Sequence, residues 1–363
     1  MQHPMLPLTV YGSDISYFTG KLEMYLRAKG IPYTFEPMTG PTRWNEIKKA
    51  TGVDQMPAVL AADGRWMTDT TPMIAWFEQE FPERPLVPTE PVQRFFSLLL
   101  EDYADEWLWR PAMHYRWYYD EGAMYASRHL ANELLQELPL PGALKRHMLR
   151  RRQRGGYTRG DGVNESNRAH TEAAYLDNLE RLESVLRQRP WLLGNSPSLA
   201  DVAFMGPMFR HFSMDPNPAQ IMRKSAPGVY EWIARLWNYP ADGALGDWGD
   251  GVPADWDGWL QDIGRNYLPY LCANADAVAA GQSHFSPNVD GATYHKAIVS
   301  PYRVWTLGCL RAAYEALPPE LKPDVQARLE RCGCWEPLWR SALPDVDVNR
   351  DCTPPFGTNA KML

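Results

Sequence analysis

Cysteine is scarce and one-sided, with five in 363 residues and none before Cys272. The odd number and irregular spacing of Cys272, Cys309, Cys332, Cys334 and Cys352 exclude a regular disulfide framework and fit a reducing compartment. They also exclude dithiol redox chemistry from everything encoded ahead of Cys272. Long apolar runs are missing too. Residues 202–209, the longest strongly apolar stretch, are interrupted by Gly206 and Pro207 and fall far short of the ~18 residues a membrane-spanning helix requires. The opening MQHPMLPLTVYG places no basic residue ahead of its apolar ones and contains two prolines, so no secretory signal is expected. Positive charge is not in excess. A formal net charge of −7 opposes nucleic acid and anionic membrane surfaces as partners. A globular, cytoplasmic protein is expected, without nucleic-acid or membrane partners.

Most enzymatic signatures are absent as well. There is no Walker A loop, G-x-G-x-x-G, G-x-S-x-G, H-E-x-x-H or E-x-x-H, so NTPase, hydrolase and metalloenzyme readings have no anchor and no metal is expected. Cys332-Gly333-Cys334 has neither a second pair nor a histidine cluster at ligand spacing, and reads as buried thiols near a helix end. The basic run KRHMLRRRQR at 145–154 reads as a solvated helix face followed by a loop.

What is present is organised in two styles. LTVY is a strand, Phe18, Leu22, Tyr25 and Leu26 recur at helical spacing up to Gly30, and YTFEPM is a second strand. A helix is expected from Trp44 to Ala50, then a strand PAVLAA, a turn at Asp63-Gly64 and a return strand RWMT. The cluster Asp69-Thr70-Thr71-Pro72 marks a helix start. RPLVPTEP, with three prolines, reads as an extended connector, and from Val92 onward helical patterns dominate. They are broken by LPLPG at 138–142 and by residues 155–166. Ser198-Leu199-Ala200-Asp201 has the form of a capping box. Beyond residue 241 a Trp-, Pro- and Gly-rich stretch gives way to helices around 259–280 and 300–316.

The β-α-β-α-β-β-α order, Gln55-Met56-Pro57 at the third strand, Asp69-Thr70 at the last helix and G-x-x-P-S-L-A-D at 194–201 together resemble the glutathione transferase family over roughly residues 6–240. The resemblance implies a thioredoxin-like glutathione-binding domain (1–84), a linker (85–91), an all-helical domain (92–240) and a mostly helical extension (241–363) of no assigned role. It implies a homodimeric detoxification enzyme that takes glutathione as co-substrate, needs no metal, and activates the glutathione thiolate for attack on, or isomerisation of, a small hydrophobic electrophile. The alternative is a non-catalytic ligand-binding or interaction module on the same fold.

Each implied site has a physical counterpart. A residue before proline is driven to extended geometry, so Met56, flanked by Gln55 and Pro57, offers backbone N–H and C=O to a peptide; in the family this proline is cis. The helix beginning near Thr70 would receive the γ-glutamyl carboxylate and Asp69 the ammonium. For the glycyl carboxylate Lys48 is preferred over Trp44 and Arg43. Matching Lys21-Leu22 to the basic-apolar pair of serine-type members places Ser16 at the catalytic serine, with Tyr11 and Tyr17 as alternatives. Tyr17 and Phe18 stand where the family has small residues, which alters the shape of the thiol pocket. The second-substrate pocket is assigned to Tyr103, Trp107 and Tyr115, with Trp117 beside them.

Overall fold

A computed structural model describes residues 3–242, 247–348 and 355–356; Cys352 lies outside the described residues. The chain begins with β1 (Leu8–Gly12), α1 (Tyr17–Lys29) and β2 (Tyr33–Pro37), a parallel crossover in which Val10 pairs with Phe35. Helix α1 starts where Ser16, in extended backbone, accepts a hydrogen bond from Thr19 N. It stops at Gly30, whose φ of 80° lets its N–H turn back to Arg27 O and Leu26 O. Helix α2 (Gly40–Thr51) starts at Gly40 rather than at Trp44, because Pro41 fits the first turn. The antiparallel pair β3 (Ala58–Leu60) and β4 (Trp66–Thr68) follows, shorter than the apolar run it comes from, and α3 (Thr70–Glu80) closes the domain. The sheet order is β2-β1-β3-β4, so β4 is an edge. This is the thioredoxin-like arrangement.

The proline-rich connector is not loose. Glu78 Oε2 accepts from Leu86 N and Val87 N, both at 3.1 Å, and Leu86 O accepts from Leu199 N at 2.6 Å. Eight helices come next: α4 (Pro91–Glu106), α5 (Trp109–Tyr118), α6 (Asp120–Leu134), α7 (Gly142–Gln153), α8 (Arg168–Leu186), α9 (Leu199–Pro207), α10 (Pro216–Ser225) and α11 (Pro227–Trp237). Five-residue π-helical turns continue α7 and α9, at Arg154–Thr158 and Met208–Phe212. The capping box forms at the head of α9, where Asp201 Oδ2 accepts from Ser198 N and Ser198 Oγ at 2.9 Å. Its other oxygen accepts from Leu192 N and Trp232 Nε1, which pins α11 and the α8–α9 loop to the buried helix α9.

The extension is part of the same core. It contains α12 (Asp257–Asp262), α13 (Leu268–Ala279), α14 (Pro301–Glu315), α15 (Lys322–Arg331) and α16 (Trp335–Trp339). Between α13 and α14 stand two pairs of two-residue strands, β5 (His284–Phe285) with β8 (Ala297–Ile298) and β6 (Asn288–Val289) with β7 (Ala292–Thr293); runs this short carry no readable periodicity. Its tryptophans staple it down: Trp248, Trp256 and Trp259 donate to Pro197 O, Leu192 O and Asn178 Oδ1. The Cys332 and Cys334 thiols are buried at the end of α15, where Cys334 Sγ donates to Leu260 O and burial pushes its pKa up.

Candidate functional site

A cleft of about 210 Å³ lies between the thioredoxin-like domain and the helices. On one side it is lined by Ser13, Ser16, Gln55, Met56, Pro57, Asp69 and Thr70, residues that end strands or begin helices. Ser16 is the N-cap of α1; its Oγ accepts from Thr19 N at 3.4 Å, and its own O–H is a separate donor. The loop that presents Ser16 is held by two buried arginines of the helical domain. Arg210 Nη1 donates to Ser13 O at 2.9 Å and Arg116 Nη1 to Ile15 O at 2.6 Å, while Asp215 grips Arg116 Nε from below at 2.9 and 3.1 Å. Every one of these bonds joins distant parts of the chain, so the position of Ser16 depends on the packing of the two domains.

The tyrosines have other duties. Tyr17 is buried and donates its hydroxyl to Ala104 O at 2.6 Å, and burial raises its pKa well above 10. Its ring occupies the space a side chain at Gly206 would need: a Cβ there would lie 2.5 Å from Tyr17 Cε1, so the glycine in α9 makes room for the tyrosine. Tyr11 does not line the cleft; it stacks on Trp66 at 5.4 Å with the Arg43 guanidinium over its ring at 4.8 Å. Phe18 lies parallel to Trp109 at 5.7 Å and both line the cleft, which stays open beside the two large residues.

The Met56–Pro57 peptide is cis. Gln55 Oε1 is buried with no hydrogen-bond partner, an acceptor for an N–H that a ligand brings. Asp69 caps α3, accepting from Thr71 N at 3.4 Å, and Thr70 is its buried neighbour. Lys48 is outside the cleft, more than half exposed and 3.7 Å from Asp54 Oδ2. Arg43 is outside as well, paired with Glu46 at 2.6 Å. Trp44 does line the cleft, together with Arg152 and Gln153 from the end of α7. The basic run at 145–154 is thus a largely exposed helix whose last turn reaches the cleft. Its unusual density of arginine was the one sequence signal that could have found Arg152.

The opposite wall is apolar. Trp109, Met113 and Trp117 project from successive turns of α5, and Leu130, Leu134 and Tyr157 complete the surface. Tyr103, Trp107 and Tyr115 do not line it. Tyr103 donates to Asp262 Oδ2 and accepts from Asn178 Nδ2; Trp107 sits among Tyr267, Tyr270 and Tyr294, and Tyr115 against Tyr175 and Phe212. All three fill the core. They lie on faces of α4 and α5 turned toward α8 and the extension.

Glu133 on α6 accepts from Ser13 Oγ at 2.8 Å, and burial, with Asp14 adding to it, pushes its pKa up to about 7 against the opposing pull of the Ser13 bond and Arg210. A folded value raised above the ordinary 4.5 gives a stabilising contribution that is complete in acid and is lost as pH rises through about 7. Glu133→Gln keeps an acceptor for Ser13 and removes the titration. Thermal midpoints measured between pH 5 and 8 are expected to fall more steeply in the unaltered protein than in the variant. Parallel curves would show that Glu133 ionises without burden.

A thioredoxin-like domain whose helix N-termini and cis-proline face an apolar wall of a helical domain defines a two-domain protein with a peptide-binding half and an apolar half. Residues 10–85 match the glutathione S-transferase N-terminal domain and residues 158–240 the glutathione S-transferase C-terminal domain. With both domains present in family order, the chain belongs to the glutathione transferase family. No curated protein matches it. Among solved structures it is similar to the beta-etherase LigF from Sphingobium sp. strain SYK-6, with 21% identity, 65% of this chain and 97% of that chain covered and a TM-score of 0.45. A glutathione S-transferase from Rhodospirillum rubrum F11 gives 15% identity, 69% and 97% coverage and a TM-score of 0.43. One from Methylobacterium radiotolerans, in complex with glutathione sulfonate, gives 16%, 66% and 98% and 0.39. Among the described residues no helix is long and apolar enough to cross a membrane, and no group of three or more His, Cys, Asp or Glu residues is placed to hold a metal ion.

Proposed function

We propose that the protein is a glutathione-dependent transferase in which Ser16 activates the glutathione thiolate for attack on, or isomerisation of, a small hydrophobic electrophile. The observation that carries this reading is one cleft containing both halves of the chemistry: Ser16, Met56-Pro57 and Asp69-Thr70 on one side, Trp109, Met113 and Trp117 on the other. A thiol near pKa 8.5 is mostly protonated at neutral pH, and a hydroxyl donor at a helix N-terminus favours the thiolate. Met56 supplies backbone hydrogen bonds for the cysteinyl residue, Gln55 Oε1 an acceptor, the start of α3 with Thr70 the site for the γ-glutamyl carboxylate, and Asp69 the partner of its ammonium. At the far end Trp44 and Arg152 serve the glycyl carboxylate, in place of Lys48. The electrophile lies on the aromatic face of α5.

Calorimetric titration with reduced glutathione, beside cysteinylglycine as the peptide lacking the γ-glutamyl group, tests the reading. Saturable binding of glutathione, with at least tenfold weaker binding of cysteinylglycine, is the expected result; a lost charge-assisted pair at a buried site accounts for a factor of about ten or more. No binding up to millimolar glutathione would turn the fold toward the non-catalytic module.

A further inference from the structure

Helix α14 begins at the cleft, although it belongs to the extension that no family model covers. Its start is clamped by Asn274, a fully buried residue of α13, whose Nδ2 donates to Ser300 O and whose Oδ1 accepts from Ser300 N, both at 2.8 Å. The clamp sets the first turn of α14 so that two consecutive side chains, Tyr302 and Arg303, line the same cleft as Ser16 and Asp69.

The two have different work. Arg303, 3% exposed, is neutralised inside the protein, with Nε donating to Glu106 Oε2 at 3.1 Å and Nη2 to Asp161 Oδ1 at 3.4 Å; it anchors α14 to α4. Tyr302 reaches across to the thioredoxin-like domain and donates its hydroxyl to Asp69 Oδ1 at 3.2 Å. The same oxygen accepts from Thr71 N, so the carboxylate is held by its own helix and by the extension. Asp69 has a φ of 71°, a left-handed backbone that a non-glycine residue keeps only where its surroundings hold it. The extension returns to this corner once more: Thr68 N, next to Asp69, donates to Pro355 O at 3.1 Å on the edge strand β4.

We propose that Tyr302 is a specificity-determining residue of the glutathione site, orienting Asp69 toward the ammonium of the γ-glutamyl group, so that the extension is part of substrate recognition. The inference rests on the reading of Asp69 given above. Burial and the neighbouring carboxylates Asp69, Glu106, Asp105 and Glu101 hold the Tyr302 hydroxyl protonated, its pKa well above 10, so it serves Asp69 as a donor. A carboxylate fixed by donors on one oxygen presents its remaining lone pairs in a set direction, which suits an ammonium and no neutral group equally well.

The test is calorimetry on the full chain with two ligands, glutathione and glutaryl-cysteinylglycine, which is the same peptide without the α-amino group. Tyr302→Phe, shown by its melting curve to be folded, is expected to weaken glutathione about tenfold, the scale of one hydrogen bond to a charged group, and to leave the glutaryl peptide unchanged. In an Asp69→Asn background the same substitution should add nothing further, because the two residues act as one unit. Equal weakening of both ligands, unchanged glutathione affinity, or additive effects of the two substitutions would each overturn the assignment. If the unaltered protein binds no glutathione, the functional reading falls together with this one; if it binds and Tyr302→Phe binds as well, only this one falls.

Discussion

Ser16→Ala is expected to lower kcat/KM for glutathione conjugation by about 10²–10³-fold, the usual effect of removing one donor aimed at developing or resident negative charge. The affinity for glutathione should change little, because backbone groups at Met56 and the head of α3 bind the peptide independently of the thiol. The pH profile carries the mechanism: in the unaltered enzyme the rate rises through the depressed pKa of the bound thiol, and in the variant that limb moves toward the free value near 8.5. Loss of the cap costs about 1 kcal/mol of stability, so melting curves belong beside the kinetics. Ser16→Thr keeps both cap and hydroxyl and should restore much of the rate. Unchanged conjugation in Ser16→Ala would remove the serine from the mechanism. Tyr17 is a poor replacement, since its hydroxyl is committed to Ala104 O, and Tyr11 lies outside the cleft.

Lys21→Met is expected to destabilise the fold by about 4 kcal/mol, the scale for breaking a buried ion pair by removing one partner. Lys21 is completely buried in α1, and its ammonium lies between Glu101, at 2.6 Å, and Asp105 on α4. Glu101 also accepts from Thr71 Oγ1 at 2.7 Å, so the lysine ties together α1, α3 and α4, the elements that carry or flank the site. Methionine fills the volume but leaves two carboxylates facing each other without a cation. Burial already pushes the Asp105 pKa well up, with Lys21 as the main opposing influence. Without the lysine the carboxyl takes up a proton more readily in the folded state, so the deficit relative to the unaltered protein should be largest at alkaline pH and shrink as pH falls. Urea unfolding at pH 6 and pH 8.5 reads this. A variant as stable as the parent at both pH values would mean that the carboxylates find another partner.

The N-terminal half of the site was legible because each of its features is local. An N-cap, an X-Pro dipeptide and an Asp-Thr-Thr-Pro helix start announce themselves within four or five residues, and Ser16, Met56-Pro57 and Asp69-Thr70 all line the cleft. The aromatic wall was not legible. Helix α5 is buried on almost every side, so hydrophobic periodicity does not say which stripe faces the cleft, and Tyr115 reads the same as Trp117 until the neighbours are in place. The glycyl end depended on an encounter between distant segments, which left Lys48 in solvent and brought Arg152 to the cleft from α7.

By itself, then, the sequence determined the order of elements, their caps and the class of fold, because helix and strand periods, proline geometry and capping chemistry act between near neighbours along the chain. Only the tertiary structure decided what the extension does. The hydrogen bond from Tyr302 to Asp69 joins residues 233 positions apart, and no local pattern marks either as the other's partner. Packing of α14 against α4 brought them together, since the apolar surface buried between helices is non-directional and the hydrogen bonds of Asn274 and Arg303 then selected one placement.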